Sequence, residues 1–165
     1  MEIALKIINE LKSEGLIEKY AIGGAIASIF YIEPITTYDL DIMIVIDVEG
    51  NILAPLSPIY EWLMKKGYKT EKEHVIIEGI PVQFLPVYNE LVTEAVNNAI
   101  EKKYNETVTF VMKPEYLIAI MLDTNRPIDR ERIVRFSDKA ELDYKLLNSI
   151  LEKYSLTEKF KIFKS

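Results

Sequence analysis

From Asp39 to Ile46 the chain reads Asp-Leu-Asp-Ile-Met-Ile-Val-Ile. The uninterrupted apolar run from Ile42 to Ile46, rich in β-branched residues, predicts a strand over residues 38–47 buried on both faces. Asp39 and Asp41 open it at i and i+2, a spacing that puts both side chains on one face of a strand. Two carboxylates that close repel each other. The arrangement costs stability unless a cation or a shared proton offsets it, and a hard divalent ion such as Mg²⁺ is the usual solution.

The preceding segment bears on the same face. Tyr20–Ile22 reads as a short strand, Gly23-Gly24 as a turn, and Ala25–Tyr31 as a helix whose small Ala25 and Ala27 let it sit close to the sheet. Glu33-Pro34 breaks it. A glycine turn leading into a helix leaves bare backbone N–H groups, a ready anion site. A phosphate cradle followed by a carboxylate pair is a nucleotide-handling arrangement. Each half also has a plainer reading: a tight strand–helix turn, and two acids that solubilise a strand start.

The rest of the chain predicts an α/β (α+β) protein. Residues 2–13 form an amphipathic helix, with Ile3, Leu5, Ile7, Ile8 and Leu11 on its apolar face and Gly15 as its stop. Glu49-Gly50-Asn51 is a turn, and Pro58–Lys66 a helix that carries Trp62 into the core. His74–Ile77 and Ile80–Leu85 flank Glu78-Gly79 as a hairpin. A two-residue loop there would set Ile77 opposite Ile80 and His74 opposite Gln83, with Glu73 on the other face. Pro81 suits an edge or a bulge better than a sheet interior. Residues 89–100 read as a helix with Ile100 on its apolar side, Thr107–Met112 as a strand, and Pro114–Asp123 as a buried helix. A loop at Thr124–Pro127 precedes helices near 128–138 and 142–154, and the basic-aromatic tail after Thr157 reads as loosely held. One domain spanning 1–165 is expected, with its core over about 16–125 and a C-terminal helical part over about 126–165.

Composition narrows the function classes. With 49% hydrophobic and 28% charged residues over 165 positions, the chain has the balance of a soluble globular protein. It has no cysteine, which excludes a disulfide framework, a zinc–thiolate centre and a thiol nucleophile. A net charge of −6 argues against a broad nucleic-acid footprint, although a local basic groove remains compatible with it. No apolar run approaches the roughly 18 residues of a membrane span, and the N-terminus lacks the apolar core of a secretory signal. A cytoplasmic protein without a membrane association is expected.

The order Gly23-Gly24, Ala25, Ala27, then Thr37-Tyr38-Asp39-Leu40-Asp41-Ile42 resembles the nucleotidyltransferase fold of the DNA polymerase beta type. The segment Lys113-Pro114-Glu115-Tyr116-Leu117-Ile118-Ala119, followed by Arg126-Pro127 and Asp129-Arg130, is similar to its AbiEii-like bacterial and archaeal branch. The likeness spans residues 20–136. It implies a small mixed central sheet with flanking and C-terminal helices. It also implies Asp39 and Asp41 as ligands of Mg²⁺, a nucleoside triphosphate as substrate, and Gly23 and Gly24 as the backbone that approaches its β- and γ-phosphates. Pyrophosphate would leave as the nucleotide passes to an acceptor such as RNA, a protein or a small molecule. Relatives include toxin components of toxin–antitoxin systems and small partners of separate helical proteins, so a protein partner or a homo-oligomer is in view.

Three positions depart from that pattern. Gly24 stands where many family members have a serine that contacts phosphate. Gln83 stands where many active enzymes carry a third carboxylate on a neighbouring strand, and an amide cannot take up a proton near neutral pH. His74, the chain's single histidine, is the candidate substitute base, a residue type that takes up a proton near neutral pH; its plainer reading is a polar surface residue. Ile35 stands where the branch often has an arginine, two residues before Thr37. Of the late basic residues, Lys113 and Arg126 read as substrate-facing and Thr37 as part of the nucleotide site. Arg130, Arg132 and Arg135, set among Asp129, Glu131 and Asp138, read as surface helix pairs. Gln83 also motivates a second reading, a fold that retains nucleotide or partner binding without catalysis.

Overall fold

The structure, a computed structural model, describes residues 1–32, 37, 39–46 and 55–164. The expected break at Glu33-Pro34, the positions Ile35, Thr36 and Tyr38, and the Glu49–Asn51 turn lie outside them. The apolar run after Asp41 forms strand β2 (Leu40–Val45), in which Leu40, Ile42 and Ile44 are fully buried and Met43 nearly so. Both of its edges are paired within the sheet. β1 (Lys19–Ile22) pairs antiparallel on one side, and β5 (Ile80–Pro86) pairs parallel on the other. β3 (Lys69–Glu71), β4 (His74–Ile77), β6 (Ile100–Tyr104) and β7 (Thr107–Val111) complete a mixed sheet in the order β3-β4-β5-β2-β1-β7-β6.

The Glu78-Gly79 loop is the two-residue turn that the sequence suggests. Both residues have positive φ, 49° and 78°, which is what a hairpin turn matched to strand twist demands. Ile77 pairs with Ile80 and Val75 with Val82. Pro81 lies in an interior strand, contrary to expectation. It sits opposite Ile76 at the non-hydrogen-bonded pair next to the turn, so its missing N–H removes no bond to β4. On its other side the ladder to β2 begins only at Leu40 and Val82.

Two strands escape the sequence reading. β3 is short, exposed and charged. β6 takes the place of the expected end of a helix at Ile100. That helix, α3, runs Glu90–Asn97, and Ile100 instead pairs with Val111 at the start of a hairpin whose turn is Asn105-Glu106. The period-two alternation of Ile100, Lys102 and Tyr104 with Glu101 and Lys103 was the available signal.

Helices cover the sheet. α1 (Glu2–Ser13) packs on β7, α2 (Ser57–Lys65) lies beside β3, and α3 crosses β1 and β2. The segment after Gly24 is a short 3₁₀ helix (Ile26–Phe30) and not the α-helix expected. α4 (Pro114–Thr124) is buried along most of its length and packs against α3, α5 (Pro127–Lys139) and α6 (Tyr144–Lys153). Trp62 is only half-buried at the rim, with the Lys66 ammonium 4.4 Å from its ring centroid. The tail is ordered as α7 (Thr157–Lys164). Phe160 is 6% exposed there, and burying an aromatic ring of that kind contributes on the order of 2 kcal/mol, enough to hold a terminal turn the sequence alone left loose.

Candidate active site

Two features converge where β1 ends and β2 begins. The Gly23 N–H donates to the Asp41 carbonyl oxygen at 3.0 Å, which fastens the glycine turn to the acidic strand. Gly24 has φ +57°, and a Cβ placed on it would stand 2.0 Å from Asp41 Oδ2. Glycine is therefore required twice, by the left-handed backbone and by the carboxylate lying against it. A serine here would clash with Asp41, which accounts for the departure noted above. Gly23 is different: a Cβ there would meet Met43 Cγ at 3.4 Å, an ordinary contact.

Asp39 and Asp41 both face one cavity of about 280 Å³. Thr37 donates its hydroxyl to Asp39 Oδ1 at 2.9 Å and so orients that carboxylate. Asp41 stands beside Gln83 in the parallel β2–β5 ladder, and Gln83 also lines the cavity. The far wall comes from Met121 of α4, from Arg132 and Phe136 of α5 and from Arg126 just before α5, and the exposed Tyr88 also lines the cavity.

Electrostatics mark Asp41 as the perturbed group. Burial raises its pKa above the ordinary carboxylate value, Asp39 raises it further, and Arg126, His74 and Arg132 pull it back. A half-buried carboxylate beside a second one gains from a bound cation, and Mg²⁺ needs only one or two carboxylates when phosphate oxygens and water fill its remaining positions. Asp39 and Asp41 fit that requirement. Among the described residues no group of three or more His, Cys, Asp or Glu side chains forms a closed metal cage.

Other predicted residues are placed less centrally. His74 is half-buried at the start of β4. The hairpin register, extended by one step, sets it opposite Gln83, and it acts on Asp41 through space without lining the cavity. Lys113 stands just before α4 as its N-cap, away from the cavity wall. Arg126 lines the cavity and is held by Asp129 through two bonds, Nε to Oδ2 at 2.7 Å and Nη2 to Oδ1 at 3.1 Å.

The expectation of surface pairing along α5 needs correction. Arg135 does pair with Glu131 at the surface, at 2.7 Å. Arg132 does not belong with it. Its side chain is 16% exposed, lines the cavity and reaches Asp129 at 3.4 Å. Asp129 is itself fully buried and also accepts from Thr124. Arg126, Asp129 and Arg132 recur every three residues where Pro127 starts a helix, and that spacing was the signal that they share one face.

No protein-family model matches the chain, and no curated protein matches it. Among solved structures it is similar to that of an antigenic nucleotidyltransferase-like protein from Paracoccidioides brasiliensis, with a TM-score of 0.57 at 14% identity, over 97% of this chain and 91% of that one. The likeness is one of fold: the chain has a nucleotidyltransferase-like fold of mixed α/β type. No helix among the described residues is long and apolar enough to cross a membrane.

Proposed function

We propose that the protein is a Mg²⁺-dependent nucleotidyltransferase of the AbiEii-like branch that passes a nucleoside monophosphate from a nucleoside triphosphate to an acceptor. The observation that carries this reading is the close approach of the Asp41 carboxylate to Gly24, both of which line the cavity. It brings the backbone of the phosphate turn and the carboxylate pair to a single point. Asp39 and Asp41 would hold the ion, which when bound neutralises charge on the phosphates and lowers the barrier to displacement. Gly23 and Gly24 bring their backbone up to the triphosphate. Thr37 keeps Asp39 aimed. In the transfer, an acceptor oxygen bonds to the α-phosphorus, the α–β anhydride bond breaks, and pyrophosphate leaves with the bonding electrons. The acceptor proton passes to a base; His74, opposite Gln83 but outside the cavity lining, is the candidate and would take it through a bridging water. RNA, a protein side chain or a small molecule would each supply a suitable acceptor oxygen.

A second reading is favoured by Gln83. Its position beside Asp41 is where a third carboxylate would serve as base, and an amide cannot do that work. In this reading the fold binds nucleotide, or pairs with a partner subunit as toxin–antitoxin components do, without transfer. Calorimetric titration of the four nucleoside triphosphates with Mg²⁺ into the wild type and Asp41→Asn, followed by transfer assays with labelled nucleotide, separates the two. Metal-dependent micromolar binding that Asp41→Asn abolishes supports a nucleotide site. Transfer to any acceptor then selects the enzyme, and no binding at millimolar nucleotide rejects both nucleotide readings.

A further inference from the structure

Among the described residues, three that carry a hydroxyl line the cavity with Asp39 and Asp41: Ser28, Tyr88 and Thr124. Ser28 is 1% exposed and donates to the Ala25 carbonyl at 2.6 Å. Thr124 folds back on its own helix. It donates to the Ile120 carbonyl at 2.9 Å, with the Met121 carbonyl at 3.3 Å and Asp129 Oδ2 at 3.2 Å also around its oxygen. For either of them to attack a phosphorus atom, an established bond would have to break and leave its acceptor unsatisfied. Tyr88 gives up nothing of the kind. It is 58% exposed, and its hydroxyl has no hydrogen-bond partner among the described residues.

Local structure fixes where Tyr88 stands. It lies two residues past β5, the strand that sets Gln83 beside Asp41. Just before it, the Val87 N–H still donates to the Ile44 carbonyl of β2 at 3.1 Å. Just after it, Asn89 caps α3, its Oδ1 accepting from the Val92 N–H at 2.8 Å. One exposed residue is thus held between two anchored ones, and it lines the cavity from there. Arg126 interacts electrostatically with Asp41 and with Tyr88 alike, which sets the phenol one charged group away from the acidic pair. Tyr88 also lines a neighbouring cavity of about 670 Å³ along α3, with Asn89, Thr93 and Asn97. A group attached to Tyr88 has room there, outside the metal site.

We propose that Tyr88 is an acceptor for the protein's own transfer, a self-modification site whose phenolic oxygen takes the nucleoside monophosphate. The inference rests on the transferase reading and names an acceptor for it. The Tyr88 oxygen bonds to the α-phosphorus of a triphosphate held at Asp39 and Asp41, the α–β anhydride bond breaks, and pyrophosphate leaves with the bonding electrons. Partial burial and Asp123 raise the pKa of the phenol, and Arg126 draws it back. The phenol therefore carries its proton at neutral pH and loses it during transfer, to the water that reaches the exposed ring. The product is a phosphodiester between tyrosine and nucleoside.

The test incubates the purified chain with each nucleoside triphosphate and Mg²⁺, measures its intact mass and maps any adduct by fragmentation of its peptides. The same preparation is titrated with nucleotide, so that binding and transfer are read separately. The expected result is one nucleotidyl group per chain, on Tyr88, absent in EDTA and absent in Asp41→Asn. Tyr88→Phe keeps the ring but offers no oxygen, and it should lose the adduct with an unchanged melting midpoint. A chain that binds Mg²⁺–nucleotide yet stays unmodified, or that carries its adduct on Ser28, Thr124 or any other residue, overturns the inference. Labelled transfer to an added acceptor would still uphold the transferase reading in that case. A chain that binds no nucleotide at millimolar concentration fails at the earlier step and removes both.

Discussion

Gly24 shows most directly how one residue joins backbone to chemistry. Its left-handed φ and the approach of Asp41 both exclude a side chain. Gly24→Ala is expected to destabilise the protein by about 1–2 kcal/mol from the backbone conformation alone. It should also abolish Mg²⁺–nucleotide binding by displacing the carboxylate. Gly23→Ala should be close to neutral in both respects. Chemical denaturation beside nucleotide titration would check the contrast, and equal effects at both positions would refute it. The sequence marked the pair but could not rank its members, because φ and the Asp41 contact are set by how β1 and β2 are joined. Arg132 was misjudged for the same kind of reason. Its charged neighbours along α5 resemble a solvated surface, and only the docking of α5 turns it inward.

At the level of elements, short-range signals were legible and long-range ones were not. The Pro at the start of α4 and of α5, and the Glu78-Gly79 loop, mark boundaries through local backbone chemistry. α6 begins the same way. Asp143 caps it, accepting from the Lys145 and Leu146 N–H groups at 3.0 Å each, while the buried Glu115 of α4 accepts the Asp143 N–H at 2.7 Å. That pairing ties the helix behind the cavity wall to its neighbour. Asp143→Ala should cost about 1 kcal/mol, read as a lower denaturation midpoint with unchanged nucleotide affinity. A large loss of affinity would instead show that α6 positions the site. β6 was missed because a charged edge strand lacks the apolar run that announces an interior one, and Ile100 continues a helical pattern by coincidence of spacing.

For the whole molecule, Asp41 links the site to folding stability. Its folded pKa is raised by burial and by Asp39. The stability associated with its protonated form is therefore fully present below the ordinary carboxylate value and is lost as pH rises through the raised one. Above that window the ionised group opposes folding. Metal-free Asp41→Asn should accordingly melt higher than the wild type at neutral pH. The gain should shrink as pH falls into the carboxylate range, which a series of melting curves would show. A pH-independent difference would mean that packing and not charge is responsible. The sequence by itself determined the local pieces: a buried central strand opened by two acids, a glycine turn ahead of it, a two-residue hairpin and most helix starts. Each depends on the conformational preferences of a few neighbouring residues. The tertiary structure decided the rest: which glycine is indispensable, that Gln83 stands beside Asp41, that Arg126 and Arg132 face the aspartates from elements far along the chain, and that the tail is held. These depend on contacts between segments distant in sequence, and no local pattern records the strand order or the helix docking that brings them together.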